Sequence, residues 1–462
     1  MEFKDRLSPI VQPSLPAHVL DTSDAVQPIV PTVRICHPGY PEGSSPLLLF
    51  RAVDDGGVDY NVVYIACCIL VGNAWPRDEY DDVLSPYLAE SSSKTAPAVS
   101  CPIDGILRRR EYYFFVPGFP EDEYPITPNF FHWVFPHRNL PTIWRDFEIR
   151  PVPAWKRPVL GRVPRDAIIT RDECCRVTQS YCGTQHSHVV PVSVTPWFTM
   201  NNMFRYAWGG EDENPRPIDD ISNGMLLRSD VHHMIDKSEL VMFPKFTGEK
   251  YEIVLHLLHS RSRYAFEQEA WFHNRKCQDI YGVSRECMFA AFAWSIFQEC
   301  TLRFFLAERD SFQIRVRESN APGSPPNIVF KTAGSISEVR ELAPPFGRMK
   351  KRSRGGTDED CRWIYSVRKG EMVCLTDEEE GSEEHYDESD TDTDEKGFRS
   401  RKLPRISSLD GFVPPTLSSS NSSSNDSNAS SEHLGSKFVA KPSDTYYTAS
   451  KKPRFFDVQY RC

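Results

Sequence analysis

The sequence predicts an α+β body followed by a long disordered tail, and three observations carry this prediction. Short β-branched and aromatic runs are bounded by Gly, Pro and Asp, which is typical of strands. Apolar residues at helical spacing follow between about residues 263 and 308. Beyond residue 311 apolar periodicity fades and charged residues and serine dominate, which is typical of segments that bury no core.

The prediction divides the chain into five segments. Residues 1–46 are rich in proline and predict a loosely ordered arm. Residues 47–150 predict a β-rich or α+β unit, in which runs at 47–50 and 60–70 flank an Asp-Asp-Gly-Gly turn and residues 110–116 form a further strand. Residues 165–245 contain the histidine pattern described below. Residues 246–310 predict a strand and helices that pack on that segment, and residues 311–462 predict the tail.

Charge is unevenly distributed along the chain. The formal net charge is −10, and residues 377–395 alone hold twelve carboxylates and no Lys or Arg. The remainder is therefore close to neutral, so a nucleic-acid partner would have to be bound through a local basic patch. We expect the tail to be a candidate for binding other proteins.

Cysteine usage and hydropathy bear on location. The 13 cysteines are irregularly spaced and the first six residues lack an apolar secretory core, so we expect an intracellular protein that is not secreted. Residues 288–307 include Gln298, Glu299 and Arg303 and predict a buried helix, so no membrane partner is expected. Basic clusters at 350–354 and 451–454 are either nuclear-import signals or ordinary solvated charge, which makes the nucleus a candidate location.

Two short segments carry the clearest chemical signal: Gln-His-Ser-His-Val-Val-Pro at 185–191 and Asn-Gly-Met-Leu-Leu-Arg-Ser-Asp-Val-His at 223–232. His188 begins a β-branched run that Pro191 ends, and a neutral imidazole suits deprotonation of water near physiological pH. Asn223 precedes a glycine at a predicted turn, where its amide can donate and accept to hold the loop that carries His188.

A helix is predicted to follow, with Ser229 as its N-cap and Asp230 in its first turn. His232 and Asp236 lie four residues apart and therefore share one face of this helix. Imidazole and carboxylate groups can hold a divalent cation, which neutralises the charge that develops in phosphoryl transfer. His232 is the candidate metal ligand.

Three segments of the sequence are Cys-Arg-Val-Thr at 175–178, the His188 segment and residues 223–236. Together they resemble the HNH endonuclease domain of fungal proteins. The resemblance spans about residues 171–243 and implies a ββα-metal core. It also implies a metal-dependent endonuclease that hydrolyses phosphodiester bonds of nucleic acid, with DNA expected before RNA. In this scheme His188 is the general base, Asn223 orients it and His232 binds a divalent ion, with Mg²⁺ expected first and Mn²⁺ or Zn²⁺ as alternatives.

The sequence departs from the family pattern at Ser187, where many members carry an aspartate or histidine that binds the metal. His186, on the same side of the strand as His188, is one substitute, and Asp230 and Asp236 are others. Arg228 is either a ligand for the substrate phosphate or a structural residue. The alternative function is a catalytically degenerate HNH fold that binds nucleic acid or protein.

Residues 124–136 are dense in aromatics and precede His137 and Arg138. Aromatic side chains beside basic ones can stack on nucleobases. Such a run more often packs a proline-containing loop onto a core, and we favour this interpretation.

Overall fold

Apolar runs interrupted by Gly, Pro and Asp produce short strands and short helices that alternate along the chain, so the α+β class is confirmed. The computed structural model describes residues 1–6, 8–11, 13, 31–76, 85–119, 123–154, 164–208, 216–260, 265–307, 309–318, 326–342, 363–366 and 371–374. These residues all belong to one unit within residues 1–381.

The strands of the described residues are β1 Thr32–Cys36, β2 Leu48–Arg51, β3 Val58–Asp59, β4 Tyr87–Ala89, β5 Ile106–Leu107, β6 Glu111–Phe115, β7 Thr184–His188, β8 Gly224–Arg228, β9 Leu240–Phe246, β10 Tyr251–Leu257, β11 Phe312–Glu318, β12 Asn327–Ala333, β13 Trp363–Ser366 and β14 Glu371–Cys374. The helices are α1 Tyr60–Leu70, α2 Thr142–Asp146, α3 Pro164–Asp172, α4 Thr195–Met200, α5 Ser229–Asp236, α6 Ala265–Phe272, α7 Arg285–Ile296 and α8 Ile336–Glu341. Within the described residues, no helix combines the length and the hydropathy needed to cross a membrane.

The largest sheet has four strands in the order β2-β1-β6-β4. β1 runs antiparallel to β2 and parallel to β6, and β4 runs antiparallel to β6. The other strands form two-stranded antiparallel pairs, among them β7 with β8, β9 with β10, and β11 with β12. His186, His188 and Arg228 therefore lie on a separate two-stranded ribbon and not on the main sheet.

Residues 60–70 form helix α1, so the strand expected there is wrong. The side chain of Asp59 caps this helix by accepting hydrogen bonds from the backbone N–H groups of Asn61 and Val62. Eight of the eleven helical residues are buried, so the run is apolar on nearly all sides. A run of this kind lacks the amphipathic period that separates a helix from a strand in sequence.

Aromatic residues join the N-terminal part of the chain to the segment after β7 and to α7. Trp133 and Trp197 stack with ring centroids 5.5 Å apart, and Phe289 of α7 lies 6.0 Å from Trp133. Trp133 is only 1% exposed, so the packing interpretation of the aromatic run is confirmed. These residues belong to one continuous apolar core.

Regular structure extends into both ends that were predicted to be irregular. β1 lies inside the predicted arm, and β11, β12 and α8 lie beyond residue 310, so the expected disorder is wrong at these positions. The side chains of Phe312, Ile314 and Val316 alternate into the core at 0–2% exposure, which is a two-residue period that a search for helical spacing misses. Residues 14–30 and 375–462 lie outside the described residues.

Candidate functional site

Strands β7 and β8 form an antiparallel ribbon, and α5 follows β8 directly. In the register, His186 lies opposite Leu226 and His188 lies opposite Gly224. Because side chains alternate along a strand, His186 and His188 share one face, and their ring centroids are 4.5 Å apart. Ser187 points to the other face and is 2% exposed.

His188 is half-buried and bonds to a carboxylate that the sequence analysis did not single out. Its Nε2 atom lies 3.1 Å from Oδ1 of Asp219, and Arg216 Nε lies 3.2 Å from Oδ2 of the same carboxylate. Burial would raise the pKa of Asp219, but the hydrogen bond from His188 and the charge of Arg216 hold it below its usual range. A neutral ring whose Nε2–H donates to the ionised carboxylate keeps Nδ1 as its basic nitrogen.

Asp219 ends a short 3-10 turn, Pro217–Asp219, ahead of Asn223. A residue in such a turn belongs to no periodic pattern, and the intervening spacing gives no sign that it meets a histidine 31 residues earlier. The one available signal is the pair of carboxylates at 219 and 220, close before the Asn-Gly dipeptide.

Asn223 is fully buried and links the loop after His188 to the turn that carries Asp219. Its Oδ1 accepts from the backbone N–H of Val190 at 2.8 Å, and its Nδ2 donates to the carbonyl oxygens of Val190 and Ile218 at 3.1 and 2.8 Å. The amide thus uses both its acceptor and its donors. This bonding fixes the two chain segments whose side chains form the histidine–aspartate pair.

Gly224 allows the closest approach in the site. A Cβ atom at this position would overlap the side chain of Ile168 and would lie 2.9 Å from Nε2 of His186. That Nε2 atom is buried and has no hydrogen-bond partner in the structure. Burial lowers the pKa of His186 to about 4, and the neighbouring His188 adds to the effect, so His186 is neutral near pH 7.

A buried ion pair at the end of α3 holds the start of β8. Arg171 and Asp172 are both 0% exposed, and the guanidinium donates to the carboxylate at 2.7 and 3.0 Å. Arg171 also donates to the carbonyl oxygens of Ile221 and Gly224, and Asp172 accepts from the N–H of Leu226. Every one of these polar groups is therefore satisfied, and the anchored carbonyls of Ile221 and Gly224 lie on either side of Asn223.

On α5 the predicted residues form two local pairs. His232 Nε2 lies 3.3 Å from Oδ2 of Asp236, as their shared helix face predicts, and His232 Nδ1 lies 3.1 Å from Oε1 of Gln185. Arg228 donates to both carboxylate oxygens of Asp230 at 2.7 and 2.6 Å. Arg228 occupies the N-cap position, so Ser229 is the first helical residue and the expected Ser229 cap is wrong.

The predicted metal residues are not gathered at one point. Within the described residues, His186, Asp230, His232 and Asp236 do not form a set of three ligand atoms that all lie within 4.8 Å of one another. His186 shares its strand face with His188, whereas His232 contacts Gln185, whose strand position points to the other face. The His232–Asp236 pair nonetheless offers a nitrogen and a carboxylate oxygen, and the carboxylate is 53% exposed, so its donor chemistry fits a divalent ion.

A second histidine–aspartate cluster, Asp54 with His256 and His273, brings three such ligand atoms together elsewhere in the core. His273 Nε2 lies 2.9 Å from Oδ1 of Asp54, and His273 Nδ1 accepts from the N–H of Leu257 at 3.2 Å. Because Nδ1 is an acceptor, Nε2 carries the proton and has no lone pair for a metal. The ammonium of Lys245 lies 3.6 Å from the same carboxylate oxygen, so a cation is already present. This cluster does not fit a metal ion.

Comparison with known proteins identifies one segment. Residues 174–241 match the family model described as HNH_2, HNH endonuclease. A search of curated proteins and a search of solved structures found no match. The family match includes His188, Asp219, Asn223 and His232, and it supports an HNH-type nuclease segment built on β7, β8 and α5.

Proposed function

We propose that this protein is a metal-dependent HNH-type endonuclease that hydrolyses phosphodiester bonds of nucleic acid, with DNA as the substrate to test before RNA. The observation that carries the proposal is the half-buried His188, paired with Asp219 inside the segment that matches the HNH endonuclease family. A neutral imidazole with one nitrogen held by a carboxylate and the other available is suited to general-base catalysis.

In this proposal His188 Nδ1 takes a proton from the attacking water. Asp219 holds the Nε2–H tautomer before the transfer and stabilises the imidazolium after it. Asn223 keeps both residues in place, because its side chain bonds to the backbone of Val190 and Ile218. These residues together supply the base and its alignment.

His232 and Asp236 are the residues that we propose to hold the divalent ion, since their donor atoms already lie 3.3 Å apart on the exposed side of α5. Mg²⁺ is the ion expected first, with Mn²⁺ and Zn²⁺ as alternatives. A bound divalent ion would supply positive charge to the phosphate oxygens on which negative charge develops. His186 remains a proposed substitute ligand, because its buried Nε2 has no partner and its ring is neutral near pH 7.

Arg228 and Asp230 differ in whether they still have atoms free to bind a phosphate or a metal ion. Asp230 uses both oxygens to accept from Arg228, so it is a weaker candidate for the metal than Asp236. Arg228 uses Nε and one terminal nitrogen in this pair. A guanidinium has five N–H donors, so Arg228 keeps donors on its second terminal nitrogen for a substrate phosphate.

The experiment is cleavage of supercoiled plasmid by purified protein in the presence of Mg²⁺, Mn²⁺ or Zn²⁺. His188→Ala should lower the rate by about two to four orders of magnitude, because it removes the general base. His233→Ala is the control, since it removes an exposed histidine of α5 that neighbours His232. His232→Ala should raise the metal concentration needed for activity, and excess metal should restore part of the rate.

Two outcomes would count against the proposal. Wild-type cleavage by well-folded His188→Ala would reject His188 as the base. Absence of cleavage by the wild-type protein with all three metals would favour the alternative, a degenerate HNH fold that binds nucleic acid or protein.

A further inference from the structure

A cavity of about 610 Å³ lies outside the proposed nuclease residues. Its wall includes the loop at residues 133–139, Arg145 after the start of α2, and Arg315 of β11. Arg138, Arg145 and Arg315 all line it, and none of its lining residues is Asp or Glu. The cavity is therefore strongly basic, although the chain as a whole is acidic.

The charge of these arginines is not compensated by carboxylates. Among the described residues, Arg138, Arg145 and Arg315 form no ion pair, and Arg145 donates only to the hydroxyl of Thr142. Burial lowers the pKa of Arg315, and no acidic neighbour acts against this effect. An anion in the cavity would offset the hydration that burial removes from the Arg315 guanidinium.

Arg317, two residues further along β11, extends this unpaired charge into the core. It is 5% exposed and donates to neutral acceptors, Oδ1 of Asn201 and the carbonyl oxygen of Met200, both at 3.2 Å. Its Nε atom is buried without a partner. The backbone of Arg317 adjoins the cavity wall at His132, whose Nδ1 accepts from the N–H of Arg317 at 3.2 Å.

The cavity wall is held in place by its own hydrogen bonds. The side chain of Asn73 accepts from Trp133 Nε1 and donates to the carbonyl oxygen of Val134, both at 2.8 Å. Gly72, at φ +87°, lets the Arg315 guanidinium lie against the backbone, since a Cβ atom there would overlap it. This packing fixes Arg315 against the wall, whereas Arg138 and Arg145 are exposed side chains that line the same cavity.

We propose that this basic cavity binds a phosphate group, carried either by a nucleic-acid strand or by a free nucleotide. Arginine binds phosphate through two parallel hydrogen bonds, and three arginines around one cavity can contact one or two phosphates. The volume lies within the range of ligand cavities, roughly 300–1,000 Å³. The buried Trp133 and Phe135 are packed against the core, so recognition rests on the phosphate and not on base stacking.

The test measures binding by fluorescence polarisation in EDTA, where metal-dependent cleavage cannot occur. The probes are a labelled single-stranded oligonucleotide and labelled AMP, with inorganic phosphate as a competitor. The variants are Arg315→Gln and Arg138→Asn, the latter because Arg138 has φ +60° and asparagine tolerates this backbone. Arg110→Gln is the matched control, since it removes an exposed arginine that does not line the cavity.

Each cavity variant should weaken binding of the relevant probe by about 10- to 100-fold, as expected when a charged hydrogen bond is lost, whereas Arg110→Gln should not. The salt dependence of oligonucleotide binding should also fall by about one unit of slope for each arginine removed. Loss of oligonucleotide binding alone assigns the cavity to a strand, and loss of AMP binding alone assigns it to a free nucleotide.

Equal affinities of the cavity variants, the control and the wild type for both probes would overturn the inference. Because binding is measured without metal, the outcome is independent of nuclease activity. A protein that cleaves DNA but binds both probes equally well without Arg315 and Arg138 would contradict only the cavity proposal. A protein that binds a probe through these arginines but never cleaves nucleic acid would contradict only the proposed function.

Discussion

Two histidine–aspartate pairs in this molecule have nearly the same geometry and opposite surroundings. His188 lies 3.1 Å from Asp219, and His273 lies 2.9 Å from Asp54. The side chains of the first pair are 24% and 21% exposed, whereas those of the second are 4% and 0% exposed. Distance alone therefore does not distinguish a candidate reactive pair from a structural one.

The difference lies in which atoms remain available. Both nitrogens of His273 are bonded, and Asp54 also accepts from Asn274 Nδ2 and from the backbone N–H of Asp59. His188 uses Nε2 only, and no described residue bonds to its Nδ1. A histidine with one oriented nitrogen and one spare nitrogen at a surface can take a proton from water, whereas a fully bonded buried histidine can only stabilise the fold.

The largest expected effect concerns the buried pair. Asp54→Ala should lower the free energy of unfolding by about 3–5 kcal/mol, because it leaves the buried ammonium of Lys245 with less compensation. Urea denaturation of both proteins measures this loss. Adding Lys245→Met should recover part of it, since both charges then leave together. A double variant less stable than Asp54→Ala would show that Lys245 does not act through Asp54.

Changes to the His188–Asp219 pair should lower the cleavage rate and leave the free energy of unfolding nearly unchanged. Asp219→Asn should reduce kcat by about 10- to 100-fold with a small change in KM, because the amide no longer fixes the Nε2–H tautomer of His188. Asp219→Glu, which keeps the charge, should retain more activity. Steady-state kinetics on a short duplex separates these effects. Equal activity of Asp219→Asn and the wild type would remove Asp219 from the site.

A smaller effect on stability concerns His186, which lies beside the His188–Asp219 pair. Its pKa in the folded protein is about 4, against 6.5 ordinarily, so the unfolded chain binds this proton more readily. The stability that depends on neutral His186 is complete above about pH 6.5 and is lost as the pH falls toward 4. His186→Gln should therefore lose less stability than the wild type over this interval, as measured by urea midpoints at several pH values. Equal changes of urea midpoint with pH in His186→Gln and the wild type would contradict the buried, unpartnered state of His186.

The sequence predicts the exposed site better than the buried one. His188, Asn223 and His232 stand in a local pattern, and the helical spacing of His232 and Asp236 places them 3.3 Å apart as expected. Asp54, His256 and His273 come from distant parts of the chain, so no local spacing brings them together. Asp219 is missed because a 3-10 turn has no period, and the sequence does not distinguish α1 from a strand because a helix buried on nearly all sides has no amphipathic period.

The central claim is that exposure and a spare nitrogen separate a reactive histidine from a structural one. The most direct measurement compares His188→Ala with His273→Ala in both plasmid cleavage and urea denaturation. His188→Ala should lose about two to four orders of magnitude in rate with an unfolding free energy within about 0.5 kcal/mol of the wild type. His273→Ala should lose about 1–3 kcal/mol of stability while its folded fraction cleaves at the wild-type rate. Wild-type cleavage by His188→Ala, or equal losses of rate and stability in both variants, would contradict the account.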